Sequence, residues 1–328
     1  MNDDTHTFPR RSVLRGAAAG GALPFLPAAA AQAQPAAQAG TPAPGSASLR
    51  WLGTAGWRID VGGRTVLFDP YLTRFKTGLF EKPFDPATRI AETDAELVRE
   101  FAGNPELILV SHSHWDHVAD VPYLAKKTGA RVLGTETTYH LLVALGVDPG
   151  QVSVVKGGEV LDFGQGLVVE VVASLHSRNK QHSYFAPGTL TGPPAAPPTT
   201  ISDLPEGDTL AFQVTAGADG PSLCLMGASD FAERSAEGLR PDVAMVPVPS
   251  SASTHRYVPR LLRALGHPAV VVPVHWDNFE TDLRDPVVAD ATMDLAGLIR
   301  QVHLESPGTR VVVPDYRTVY GADLRPRH

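Results

Sequence analysis

The stretch Ser111-His112-Ser113-His114-Trp115-Asp116-His117 carries three imidazoles and one carboxylate, and it follows directly on the apolar residues 107–110. Histidine is the commonest protein ligand for zinc, and a carboxylate is the usual partner where a bound water must be activated. Alternation along an extended chain sends His112 and His114 to one side, and Asp116 and His117 fall in the turn that follows. This arrangement can hold two metal ions close together, as in two-metal hydrolytic sites.

Three further potential ligands stand where predicted apolar strands end. Residues 167–172 lead to His176, residues 223–226 lead to Asp230, and residues 270–274 end at His275. Open sheets gather their functional groups at strand ends, so these side chains are expected near the histidine-rich stretch. A polar loop that is rich in histidine by chance is the alternative, but it leaves the other three ligands unexplained.

These residues resemble the signature of the metallo-β-lactamase superfamily, which is His-x-His-x-Asp-His followed by a distant His, a distant Asp and a final His. The similarity extends from about residue 49 to residue 320. The resemblance implies seven metal ligands, with His112, His114 and His176 on one ion, Asp116, His117 and His275 on a second, and Asp230 bridging the two. The ions are expected to be zinc, with manganese or iron as alternatives that the same ligands accept.

Three further segments resemble one branch of that superfamily, which contains ascorbate-6-phosphate lactonase and many uncharacterised metal-dependent hydrolases. They are residues 51–57 (WLGTAGW), 67–72 (LFDPYL) and 273–277 (PVHWD). The resemblance implies an enzyme in which a metal-bridging hydroxide attacks a carbonyl carbon or phosphorus, with Asp116 orienting it and accepting its proton. A bridging carboxylate at Asp230 resembles the sites of the lactonases, thioesterases and phosphodiesterases of the superfamily, whereas dedicated β-lactamases lack that bridge.

Other side chains receive weaker predictions. His255 follows a Ser/Thr-rich loop at a predicted helix start and is assigned as a catalytic or substrate-contacting residue, with a capping or surface role as the alternative. Asp69 and Asp120 are candidate hydrogen-bond partners of the metal-binding histidines. Trp115 and Trp276 either pack in the core or form a wall of the pocket.

The pattern of strands and helices predicts an α/β fold in a single domain over residues 49–328. Two strand-rich halves with helices outside both form a four-layer αββα sandwich of the metallo-β-lactamase type. Helices are predicted at 94–101, with Thr93 as the cap, and at 118–127. Residues 178–208 are rich in proline and begin two residues after His176, so they are predicted to be a lid over the site.

The first 48 residues differ from the rest. Residues 10–15 (RRSVLR) precede a weakly apolar, alanine-rich segment, which resembles a twin-arginine signal peptide spanning residues 1–33. A flexible linker is expected at 34–48 because these residues are rich in Pro, Ala, Gly and Ser. The protein is then expected in the periplasm or secreted, with the twin-arginine export machinery as a transient partner. The alternative is an alanine-rich, disordered leader that does not direct the protein to any compartment.

The composition limits the partners. The 328 residues carry a net charge of −7 and no basic cluster, which argues against nucleic acid as the substrate. There is no long apolar stretch free of proline, so no stable membrane span is expected. The prediction is therefore an exported, dinuclear hydrolase that cleaves a lactone, ester or phosphodiester bond of a small molecule. The alternatives are a metal-binding or partner-binding protein without turnover and an iron-dependent oxidoreductase.

Overall fold

The computed structural model describes residues 47–81 and 83–327. The predicted signal peptide and nearly all of the predicted linker lie outside these residues. Ala47 is fully buried and Ser48 opens the first strand, so the folded domain begins slightly before the predicted boundary at residue 49. No helix among the described residues is long and apolar enough to cross a membrane.

The first sheet has seven strands in the order β15-β1-β2-β3-β4-β5-β6. The strands are β1 (Ser48–Trp51), β2 (Trp57–Val61), β3 (Arg64–Phe68), β4 (Leu107–Leu109), β5 (Arg131–Gly134), β6 (Val152–Val154) and β15 (Val319–Gly321). Neighbours are antiparallel from β15 to β3 and parallel from β3 to β6. Gly62 and Gly63, both with positive φ, form the tight turn between β2 and β3.

The second sheet has eight strands and repeats this plan. They are β7 (Val160–Asp162), β8 (Leu167–Leu175), β9 (Leu210–Ala216), β10 (Ser222–Met226), β11 (Asp230–Phe231), β12 (Val243–Pro247), β13 (Val270–Val274) and β14 (Arg310–Val311). The order is β11-β8-β9-β10-β12-β13-β14, with β7 also paired to β8. Neighbours are antiparallel from β11 to β10 and parallel from β10 to β14.

The parallel strands β12 and β13 lie in the interior of the protein, as their burial shows. Every residue of β12 and β13 is buried, as expected for parallel strands covered on both faces, which read as continuous apolar runs. The two sheets meet at Phe68 and Phe212, whose ring centroids are 6.1 Å apart in an edge-to-face arrangement. One hydrophobic core therefore joins both sheets.

The helices lie outside the sheets, with α4 against β5 and β6, α5 against β8 and α7 against β13. They are α1 (Ala95–Leu97), α2 (Trp115–Val118), α3 (Val121–Thr128), α4 (Glu136–Ala144), α5 (Glu233–Ala236), α6 (Tyr257–Ala264) and α7 (Leu295–Glu305), with a π-helical turn at Val98–Ala102 and 3₁₀ turns at Pro149–Gln151, Ile201–Asp203 and Ser251–Ser253. The predicted αββα sandwich is confirmed.

Two local predictions are wrong. Asp94, not Thr93, caps α1, because its carboxylate accepts hydrogen bonds from the backbone N–H groups of Glu96 and Leu97. The helix predicted at 118–127 is α3, which begins three residues later at Val121, whereas Val118 ends the separate short helix α2 that begins at Trp115. Asp116 and His117, which the sequence places in a turn, therefore lie in the helical turn α2.

Candidate metal centre

Six of the seven predicted ligands come together in two groups. One group is His112, His114 and His176, and the other is Asp116, His117 and His275; within each group the potential ligand atoms lie within 4.8 Å of one another. The histidine-rich stretch follows β4, His176 follows β8 and His275 follows β13. The ends of three strands from two sheets thus deliver the ligands to one place, as the sequence predicts.

The rings of the first group face one another edge to face. The centroids of His112 and His114 are 4.9 Å apart, and each lies 4.8 Å from the centroid of His176. Burial lowers the pKa of all three imidazoles, to about 4 for His114 and about 3 for His176. The rings are neutral at neutral pH, which is the protonation state that binds a metal ion.

Hydrogen bonds decide which ring nitrogen faces the site. One nitrogen of each of four histidines already has a partner: Nδ1 of His112 (Ser111 Oγ, 2.9 Å), Nδ1 of His117 (Asp69 Oδ2, 2.8 Å), Nδ1 of His176 (Ser177 O, 2.8 Å) and Nε2 of His114 (Ala186 O, 3.4 Å). Such partners set the tautomer and orient a metal-binding imidazole. Nε2 is left free in three rings and Nδ1 in His114.

The second group is centred on Asp116, which is 6% exposed. Its Oδ2 lies 3.2 Å from Nε2 of His275 and 3.6 Å from Nε2 of His117. Burial alone would raise the pKa of Asp116, but the neighbouring imidazoles outweigh it and hold the pKa well below its usual range. Burial alone would lower the pKa of His117, and the carboxylates of Asp116 and Asp69 raise it instead. A carboxylate and two imidazoles are a suitable donor set for a divalent ion.

The side chain of Asp69 links the two ligand groups through hydrogen bonds to Ser111, next to His112, and to His117. This fully buried residue follows β3, with φ of +41°. Its Oδ1 accepts the backbone N–H of Ser111 (2.7 Å), and its Oδ2 accepts Ser111 Oγ–H (2.6 Å) as well as His117 Nδ1–H. A Cβ at Gly227 would lie 2.0 Å from Ser111 Oγ, so only glycine fits beside this network. Of the two predicted supporting aspartates, Asp69 contacts a ligand, whereas Asp120 accepts the backbone N–H groups of Leu72 and Thr73.

The WLGTAGW segment supports the last ligand. His275 has φ of +60°, and its backbone N–H donates to Thr54 O at 2.7 Å. The N–H of Thr54 in turn donates to the carboxylate of Asp277, which lies 3.5 Å from the buried guanidinium of Arg74. A Cβ at Gly53 would lie 2.0 Å from Arg74. The segment therefore holds the strained turn at His275 through the hydrogen bond to the carbonyl oxygen of Thr54.

The assignment of Asp230 as a bridging ligand is not supported. The strand β10 ends at Met226, and Asp230 already belongs to β11, where it pairs with Leu175 of β8. Its Oδ1 accepts the N–H of Phe231, and it belongs to neither ligand group. Ala228, two residues earlier, lines the cavity in its place.

His255 is also not brought to the site. It is exposed in the loop before α6, its carbonyl oxygen accepts a hydrogen bond from Arg260, and it does not line the cavity. Its alternative role as a surface residue fits this position. Trp115 lines the cavity, whereas Trp276 stacks on Trp51 with centroids 5.3 Å apart and serves core packing.

The ligands form the floor of a cavity of about 600 Å³. Its walls include residues that the sequence did not single out, notably Tyr184, Phe185 and Phe279. Tyr184 stacks on His176 at 4.4 Å between centroids. These aromatic residues lie in irregular segments without periodicity, so no sequence signal marks them.

Part of the predicted lid reaches the site. Within residues 178–208, Tyr184 donates from its hydroxyl to Glu206 Oε2 at 2.6 Å. The N–H of Glu206 donates to Ala186 O, and its own carbonyl oxygen accepts the N–H of Ser113. Burial raises the pKa of Glu206. The segment is thus hydrogen-bonded to the histidine-rich stretch at Ser113 and, through Ala186, at His114.

A model of the β-lactamase superfamily domain matches residues 48–275. The chain belongs to the metallo-β-lactamase superfamily. Among the curated relatives of this superfamily member, a UPF0173 metal-dependent hydrolase of Cupriavidus necator is 28% identical over 296 residues, covering 88% of this chain and 93% of the relative. One from Pyrobaculum arsenaticum is 26% identical over 238 residues, covering 73% of this chain and 88% of the relative.

The fold is shared with Igni18, a metallo hydrolase of Ignicoccus hospitalis. The TM-score is 0.53 at 19% identity, covering 84% of this chain and 98% of that one. The coarse prediction of a metal-dependent hydrolase of the metallo-β-lactamase superfamily is confirmed by these comparisons.

Proposed function

We propose that the protein is a dinuclear metal-dependent hydrolase that cleaves an ester or lactone bond of a small molecule. The observation that carries the proposal is the pair of three-residue ligand groups at the floor of one cavity, with the neutral histidines His112, His114 and His176 beside the ionised Asp116. Two divalent ions bound there supply Lewis acidity, which activates a water at neutral pH and polarises the substrate carbonyl.

The chain's own residues have separate tasks in this proposal. Asp116 is ionised and buried, so it can accept a proton from the attacking water and orient it toward the substrate. Asp69 keeps His117 in the tautomer whose Nε2 faces Asp116. No serine or cysteine nucleophile is required. Cys224 is buried in β10, and burial raises the pKa of its thiol to about 12.

The position of Asp230 increases the number of substrate bond types that must be tested. A bridging carboxylate favours lactones and phosphodiesters over β-lactams, but Asp230 belongs to neither ligand group. β-Lactams therefore belong in the test panel beside lactones, esters, thioesters and phosphodiesters. Zinc is the ion we propose, because neutral imidazoles and a single carboxylate are the donors that it favours; manganese and iron remain in the test.

The test combines metal content with turnover. Purified protein is stripped with a chelator, reloaded with zinc, manganese or iron, and assayed for acid release on the panel. We expect close to two ions per chain and hydrolysis of at least one carbonyl substrate, and Asp116→Ala should release one ion and abolish hydrolysis. Two bound ions with no hydrolysis of any substrate would refute the hydrolase proposal, and iron-dependent oxygen consumption would replace it by redox chemistry.

We also propose that the protein is exported through the twin-arginine pathway to the periplasm or beyond. The support is the RRSVLR run with the alanine-rich segment after it, at residues 10–33. The test expresses the full chain in a Gram-negative host beside an Arg10→Lys, Arg11→Lys variant. We expect a shortened chain in the periplasm for the native sequence and retention of the variant in the cytoplasm. Equal distribution of the two chains would reject export by this route.

A further inference from the structure

The walls of the cavity are apolar on both sides of the ligands. On one side, Phe279 is 3% exposed and its ring centroid lies 5.2 Å from that of His275 and 4.9 Å from that of Phe80. On the other side, the ring of Phe185 lies 5.8 Å from that of His114 and 5.2 Å from that of Trp115. Each ligand group thus has an aromatic wall of its own.

Several polar side chains around the cavity form hydrogen bonds to other groups of the protein. Oδ1 of Asn179 accepts the N–H groups of Gln181 and Ser183, and the hydroxyl of Tyr184 donates to Glu206. Oδ1 of Asn278 accepts a backbone N–H from the turn that follows it. The amide oxygens of Asn179 and Asn278 and the hydroxyl proton of Tyr184 are therefore less available to a polar substrate.

The charge around the cavity has one sign. Among the described residues that line it, none is lysine or arginine. Apart from the ligand groups, the charged side chain at its rim is Asp290, whose carboxylate accepts hydrogen bonds from Thr292. Phosphate and carboxylate groups of ligands are recognised mainly by arginine and lysine. A negatively charged handle on the substrate therefore has no cationic partner in the described walls and meets a like charge at Asp290.

We infer that the substrate is an ester or lactone whose non-reacting part is a large, uncharged apolar group, held between the Phe80–Phe279 wall and the Phe185–Trp115 wall. This inference rests on the proposed hydrolase function and specifies its substrate class. A cavity of about 600 Å³ lies within the range of sites that enclose drug-sized molecules. The apolar walls bind the acyl group by the hydrophobic effect, and the ligand groups address the ester bond at its end.

The test uses four chromogenic probes on the zinc-loaded enzyme. They are 4-nitrophenyl acetate, 4-nitrophenyl hexanoate, mono-4-nitrophenyl adipate and bis(4-nitrophenyl) phosphate. Hexanoate adds four methylenes to acetate, and each buried methylene is worth about fourfold, which sets an upper limit of about 200-fold in kcat/KM. We expect a hexanoate-to-acetate ratio of at least about tenfold, with most of the gain lost in the adipate half-ester, which has the same chain length and a terminal carboxylate.

The walls are tested by Phe80→Ala and Phe185→Ala, both of which truncate partly buried rings. Each should lower the hexanoate-to-acetate ratio about fivefold or more, mainly through KM. Phe163→Ala is the matched control, because Phe163 is partly buried and does not line the cavity. Leu79→Arg places a cation at an exposed position on the rim, and it should raise the adipate-to-hexanoate ratio.

The outcomes separate this inference from the proposed function. No hydrolysis of any probe by protein that holds two ions would overturn the apolar-ester inference, and the hydrolase proposal would then depend on the wider panel of bonds described above. Hydrolysis with equal kcat/KM for acetate, hexanoate and adipate would keep the hydrolase and overturn the apolar substrate. Preference for bis(4-nitrophenyl) phosphate would likewise keep the metal-dependent hydrolase and overturn the substrate class.

Discussion

Replacing Asp69 by Asn tests how the second ligand group is held. Asp69 accepts three hydrogen bonds, from the N–H and Oγ–H of Ser111 and from Nδ1–H of His117. The amide keeps one oxygen, which can still accept the Ser111 N–H. Its NH₂ group then faces Nδ1 of His117, which forces the ring proton onto Nε2, the nitrogen that faces Asp116.

The expected cost follows from this change of tautomer. A proton on Nε2 must leave before the nitrogen can bind an ion, and the hydrogen bond of Nδ1 to a carboxylate is lost. Loss of such a supporting bond usually weakens metal binding 10- to 100-fold, which corresponds to about 1.4–2.7 kcal/mol. We expect this loss for the ion held by Asp116, His117 and His275. The ion held by the other group should be affected less.

The assay is a competition titration of metal-free protein with a chromophoric chelator, which resolves the two binding constants. Asp120→Asn is the matched control, because Asp120 is equally buried and accepts two backbone N–H groups but touches no histidine ligand. It should lower stability without changing metal affinity. Unchanged affinity in Asp69→Asn, or an equal loss in both variants, would show that the carboxylate does not orient His117.

Four further predictions concern the ligand groups, the pH dependence of stability and the buried cysteine. Asp230→Ala should retain both ions with unchanged affinity, since the side chain belongs to neither ligand group; loss of one ion in elemental analysis would restore its bridging role. Asp116→Ala should release one ion and abolish hydrolysis, and a fully active variant would contradict the two-metal mechanism. The metal-free protein should lose stability as the pH falls below 6.5, because the unfolded chain then protonates His114 and His176 whereas the folded chain keeps them neutral to about pH 4 and about pH 3. At pH 5 the loss is about 2 kcal/mol per imidazole, and urea unfolding of His114→Gln should show a correspondingly weaker pH dependence. Cys224 should react with a thiol reagent only after unfolding, because it is buried and its thiol pKa is about 12; rapid labelling of the native protein would exclude this packing.

The sequence by itself determined the ligand chemistry and the fold class. The histidine-rich stretch needs only local spacing to present several ligands together, and a continuous apolar run such as Val270–Val274 indicates a strand buried on both faces. Asp69 could be proposed from its place at a strand end. These features are local, so the order of residues along the chain carries them.

Only the tertiary structure decided that Asp230 lies outside the ligand groups and which residues form the walls of the cavity. Asp230 and Ala228 are two residues apart, and Ala228 lines the cavity whereas Asp230 does not. Which of the two positions faces the cavity depends on where β10 ends and how β11 pairs with β8. The aromatic walls are contributed by segments far apart in sequence, at Phe80, Phe185 and Phe279. These positions depend on contacts between distant segments, and a single sequence has no periodicity or spacing that reports such contacts.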